Sequence, residues 1–124
     1  MAYKLLRAEE ARWRPSNMMG VENTDLAKQL GARTMGARLW RLRPGQASTK
    51  HRHRETAELY VLLEGTGKLR VDDELLTLRR LDAVLVEPEH VRQPFNDTEV
   101  EQLWLVVGAP PELANTLAMS KEDL

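Results

Sequence analysis

Two histidines and a glutamate stand in the stretch Gly45-x5-His51-x-His53-x4-Glu58-x6-Gly65. Residues two apart on a strand leave the same face, so His51 and His53 would present both imidazoles to one side. Glu58 can return to that side from the next strand, after a short turn at Arg54–Ala57. Two neutral imidazoles and one carboxylate make a three-cornered donor set for a divalent first-row ion, with coordination positions left open. The bracketing glycines supply the turns that start and stop such strands.

The elements that would carry these residues are short strands. Arg38–Arg43 alternates with Trp40 and Leu42 on one face, and Pro44-Gly45 forms a turn. Glu58–Leu63 is a β-rich run closed by Gly65-Thr66-Gly67. Lys68–Val71 and Leu75–Leu78 read as a hairpin around Asp72-Asp73-Glu74. Ala83–Val86, Arg92–Asn96 and Val100–Val107 follow, and both parities of Leu103–Val107 are apolar, which predicts burial on two sides. Strands at this spacing imply a barrel or sandwich. Two helices are expected at the ends. Thr24–Gly31 has Thr24 as N-cap, Asp25 in the first turn and Gly31 as stop; Glu112–Ala118 follows two prolines. The chain divides into an N-terminal extension over 1–36, packing on the barrel or on a dimer partner, a barrel over 37–108, and a short helix and tail over 109–124.

The chain has 124 residues, a formal net charge of −1 and no cysteine. One domain with one modest core is the natural reading. The balanced, scattered charge argues against a nucleic-acid binder, and the absence of cysteine excludes disulfides, thiolate metal sites and a cysteine nucleophile. The first residues lack the apolar stretch of a secretory signal, and the apolar runs are of strand length, so the expectations are no membrane partner and a cytoplasmic location. No phosphate loop or nucleophile elbow is present.

From Gly45 to Gly65 the chain resembles the first motif of the cupin superfamily at every defining position, and the likeness extends from about Gly36 to Gly108. It implies an all-β fold, a double-stranded β-helix (jelly-roll) barrel with short N- and C-terminal helical additions here. It implies a divalent metal (Fe, Mn, Ni or Zn) held by His51, His53 and Glu58, a small-molecule ligand, and a homodimer formed through an edge strand and N-terminal residues. The second motif departs from the pattern. Asn96 fits, Pro88 is one place late, Leu81 and Glu89 replace glycines, and Arg92 stands where a fourth ligand, a histidine, belongs.

Arginine stays protonated and offers no lone pair, so Arg92 is no ligand. Three arrangements follow. The ion binds through three ligands and Arg92 meets an anionic substrate group; or His90, of the same parity, replaces the missing imidazole; or no metal binds and Arg92 pairs with Glu58. The first two suit an enzyme acting on a small anionic molecule, without naming catalytic residues, and the third a non-catalytic, small-molecule-binding cupin with a degenerate site. Tyr60 shares the parity of Glu58 and is a second substrate-binding candidate. Trp40 and Trp104 would serve as core, dimer interface or pocket wall. Gln93 could contact substrate, Asn96 would order the turn at Asp97, and Trp13 would anchor the N-terminal segment.

Overall fold

The computed structural model describes residues 2–112 and the backbone of 116–120. The strands run in the order β1 (Arg14–Pro15), β2 (Glu22–Asp25), β3 (Gly36–Leu42), β4 (Lys50–His53), β5 (Ala57–Glu64), β6 (Gly67–Val71), β7 (Glu74–Leu78), β8 (Ala83–Val86), β9 (Arg92–Phe95), β10 (Gln102–Ala109) and β11 (Thr116–Ser120). They form two antiparallel sheets that face each other, ordered β1-β2-β3-β10-β5-β8 and β11-β4-β9-β6-β7. The expected jelly roll is present. Among the described residues no helix is long and apolar enough to cross a membrane.

Alternation decides which side chains fill the space between the sheets. In β10 the inward set is Gln102, Trp104, Val106 and Gly108, all buried, while Leu103, Leu105 and Val107 on the other parity are half-buried. The expectation of burial on both sides is therefore met on one side only. Trp104 and Tyr60 meet edge to face inside a core that includes Val21, Leu42, Leu62, Leu69, Leu78 and Val86. Trp104 is core, and its indole N–H donates to Gln102 at 2.9 Å. Asn96 orders the turn that follows it: its amide donates to Leu42 O and Val100 O, and its oxygen accepts from the amide of Thr98.

The ends differ from the sequence expectation. The N-terminal helix, α1, covers only Leu26–Leu30; Asp25 rather than Thr24 is its cap, accepting from Lys28 N at 2.9 Å, and Gly31 closes it in the left-handed conformation. Thr24 instead continues β2, whose buried members Asn23 and Thr24 are polar and so give no apolar alternation to read. Asn23 satisfies itself by donating to Arg14 O and accepting from Arg38 Nη1. Trp13 lies under the Arg41 guanidinium, 4.8 Å from ring centre to the carbon. At the other end, the helix expected over Glu112–Ala118 is replaced at Thr116–Ser120 by a strand. Its backbone pairs with β4, which otherwise forms the open edge of its sheet, and ladder pairing at that edge overrides a weak local helix preference.

Leu81 and Glu89 occupy the positions where the cupin pattern carries glycine, and both keep the backbone that glycine favours, with φ of 72° and 75°. Each amide is pinned, Leu81 N to Leu62 O and Glu89 N to His53 O. Both side chains are exposed, so neither repays the strain by burial. Leu81→Gly and Glu89→Gly should each raise stability by ~0.5–1 kcal/mol, the left-handed penalty less the entropy cost of glycine, measured by urea unfolding.

Candidate metal centre

His51 and His53 project from β4, and Glu58 projects from β5 after the chain crosses at Arg54–Thr56. The strands belong to opposite sheets, so the carboxylate does not come from a neighbouring strand of the same sheet but faces the imidazoles across the barrel. Glycine at 108, opposite Glu58 on β10, makes room for this: a Cβ there would lie 2.8 Å from Thr56 Cγ2 and 3.4 Å from Glu58 Cγ. His51 Nε2 lies 3.4 Å from Glu58 Oε1 and His53 Nε2 lies 3.5 Å from Oε2. The two rings meet edge to face, 4.9 Å between centroids. One donor atom from each of the three residues falls within 4.8 Å of the others.

The remaining ring nitrogens assign the tautomers. His51 Nδ1 lies 2.8 Å from the Thr49 carbonyl, and His53 Nδ1 lies 3.0 Å from Glu112 Oε2. Carbonyl and carboxylate only accept, so Nδ1 donates in both rings. Each imidazole, once neutral, keeps its lone pair on Nε2, the atom turned to Glu58. Ligands about 2.1 Å from a common ion sit roughly 3.0–3.4 Å apart at octahedral to tetrahedral angles, close to the His–Glu separations seen. The donor set fits a divalent transition ion.

Glu58 Oε1 is further engaged. The Tyr60 hydroxyl donates to it at 2.9 Å, and Arg92 Nη1 stands 3.7 Å away. Arg92 lies on β9 opposite His51 and is completely buried. Its Nη2 donates to Glu87 O at 2.9 Å, with Val86 O at 3.4 Å, while Nε and Nη1 have no protein hydrogen-bond partner. The cavity is about 280 Å³ and is lined by the His–His–Glu set together with Tyr60, Trp40, Arg38, Thr56 and Glu112, among others. Arg92 is not in that lining. In this arrangement Arg92 faces the Glu58 carboxylate, as in the third of the arrangements set out above. Tyr60 lines the cavity as expected, but its hydroxyl is committed to Glu58.

The charges are strongly coupled. Burial raises the pKa of Glu58, yet hydrogen bonds and charge from His51 and His53 outweigh it and hold the carboxyl well below its usual range. Burial works against the His53 imidazolium, but the bond and charge of Glu58, then Glu112, raise it above the ordinary value. Burial, then the Glu58 charge, pushes the Tyr60 phenol far up, so Tyr60 stays a neutral donor.

His90 does not join the site. Its ring bonds Asp72 at 2.6 Å on the surface, with the side chain 53% exposed, and it cannot replace the missing imidazole. Glu112, which no sequence pattern singled out, does join. The Gln93 amide is turned to Ser48 O at 3.1 Å and lies outside the cavity lining.

The comparisons agree with this geometry. Residues 38–108 match the family model of the cupin domain, and the chain belongs to that family. A search of curated proteins finds no match. Among solved structures, a sugar phosphate isomerase of the cupin superfamily from Silicibacter pomeroyi is 25% identical, with a TM-score of 0.79 over 87% of this chain and 76% of that one. A conserved protein with a double-stranded β-helix domain from Klebsiella pneumoniae is 19% identical, with a TM-score of 0.76 over 96% and 98%. A predicted oxalate decarboxylase from Thermotoga maritima is 20% identical, with a TM-score of 0.76 over 87% and 100%.

Proposed function

We propose that this chain is a small metal-binding cupin that holds one divalent transition ion, Fe, Mn, Ni or Zn, on His51, His53 and Glu58, and acts on a small anionic molecule in the cavity. The observation that carries this reading is the anchoring of both Nδ1 atoms, which leaves both Nε2 lone pairs aimed at one carboxylate. Bound there, a divalent ion supplies Lewis acidity or an O2-activating centre. The chain's own residues do the rest. Tyr60 holds Glu58 Oε1 and leaves Oε2 turned to His53. Trp40 and Val106 give the cavity an apolar wall, and Thr56 and Arg38 give it polar contacts. With an ion in place, its two charges and that of Arg92 exceed those of Glu58 and Glu112 by one, which favours an anionic ligand. The relative from Silicibacter pomeroyi bears the name of an enzyme whose sugar phosphate substrates are anions.

A second reading has its own observation. Arg92 already neutralises Glu58 at 3.7 Å, as a metal-free binding pocket would require. Calorimetric titration of chelator-treated protein with Fe(II), Mn(II), Ni(II) and Zn(II) separates the two. One site per chain supports the first; no binding of any of the four leaves only the second.

We also propose a homodimer. On the outer face of the six-stranded sheet, Leu59 and Leu85 are cross-strand partners, 38% and 58% exposed. They lie at and beside β8, the outermost strand of that sheet. A self-complementary apolar edge suits a two-fold contact. The double variant Leu59→Glu, Leu85→Glu should sediment as a monomer where the parent sediments as a dimer.

A further inference from the structure

We propose that Glu112 is a positioning residue that fixes His53 for metal ligation; this rests on the metal-binding reading above. The two histidines are oriented by different means. His51 leans on Thr49 O, a carbonyl two residues away on its own segment. His53 leans on a carboxylate 59 residues away, brought back by the chain after β10. His53 is thus flanked by two carboxylates, Glu58 at Nε2 and Glu112 at Nδ1. Only Glu58 belongs to the converging donor set of the described residues, so Glu112 works through the ring and not on the ion.

The placement of Glu112 is built rather than incidental. Its second oxygen accepts from the amide of Glu55, in the crossing between β4 and β5. The preceding residues are tied down by Thr56 Oγ1, which donates to Pro110 O at 2.5 Å. Its side chain is 7% exposed. Beyond it, the backbone of β11 pairs with β4, with Thr116 opposite His53. A carboxylate hydrogen-bonded to the far nitrogen of a ligating histidine fixes the tautomer, orients the ring and raises its basicity. The C-terminal segment therefore completes one ligand of the centre, while the other ligands are set without it.

The test is titration of the full-length chain with Co(II) against a competing chelator, read by affinity and by the visible ligand-field spectrum. Glu112→Ala should bind Co(II) about 10–100-fold more weakly and with an altered spectrum. Glu112→Gln, which keeps one acceptor oxygen for two donors, should recover part of both. A folded Glu112→Ala protein with parental affinity and spectrum would overturn the proposal; if that variant does not fold, parental behaviour of Glu112→Gln would do so. Failure of the parent itself to bind Co(II) removes the metal reading, and His53 is then judged without metal. Its ring nitrogen NMR shifts, taken where the imidazole is neutral, should show the Nδ1–H form in the parent and lose it in Glu112→Ala. The same tautomer in both would defeat the role assigned to Glu112.

Discussion

Glu58→Gln is expected to abolish stoichiometric metal binding and to destabilise the metal-free chain as well. The two effects have one origin. Glu58 is the only carboxylate in the converging donor set of the described residues, and an amide is a much weaker ligand for a first-row ion. It is also the counter-charge for Arg92, which is wholly buried, and for two imidazoles whose side chains are no more than 16% exposed. Removing one partner of such a buried set costs about 3–5 kcal/mol. Elemental analysis of the purified variant should show close to no metal, and urea unfolding of the metal-free form should show the loss of stability. A variant that retains a full equivalent of metal contradicts the ligand assignment.

Arg92→Met should move the two properties in opposite directions. The guanidinium is a fixed positive charge beside the donor set, 3.7 Å from Glu58 Oε1, and it repels a divalent ion held there. Methionine fills similar space without charge. Metal affinity should rise at least about tenfold, since even an effective dielectric of ~20 leaves more than 1.4 kcal/mol of repulsion at such range. Metal-free stability should fall by about 1–3 kcal/mol, because Glu87 O and Val86 O lose their donor and Glu58 loses a counter-charge. Calorimetric titration and urea unfolding of the same preparations read both. Weaker metal binding in Arg92→Met would mean that Arg92 serves the centre by placing Glu58 rather than opposing the ion.

The ligand set was legible because its information is local. His51 and His53 share a parity, Glu58 lies five residues on, and a strand-turn-strand reading brings all three inward. What that reading missed is what tertiary structure adds. It placed Glu58 on an adjacent strand, whereas the crossing at Arg54–Thr56 carries it to the facing sheet. Glu112 gave no signal, since its partner is 59 residues distant and its own neighbourhood of two prolines and an acid reads as a helix start. The strand at Thr116–Ser120 exists because β4 needs a ladder partner, which no propensity in that segment announces. Arg92 could be placed on a strand near the site, but its facing Glu58 stayed one arrangement of three; that depended on the carbonyls of Val86 and Glu87 receiving it. At Leu81 and Glu89 the likeness to the cupin pattern was informative even where the residue had changed, because the left-handed backbone is retained without glycine. β2 escaped notice since its buried residues, Asn23 and Thr24, are polar.

The most direct test of the metal centre is anomalous scattering from crystals grown without chelator and soaked in Zn(II) or Mn(II), recorded at the edge of each ion. A single peak bonded to Nε2 of His51, Nε2 of His53 and the Glu58 carboxylate, with Glu112 on the far side of the His53 ring, is the expected result. Density showing both imidazoles still turned to Glu58 with no anomalous peak between them, or a peak held by other residues, would contradict it.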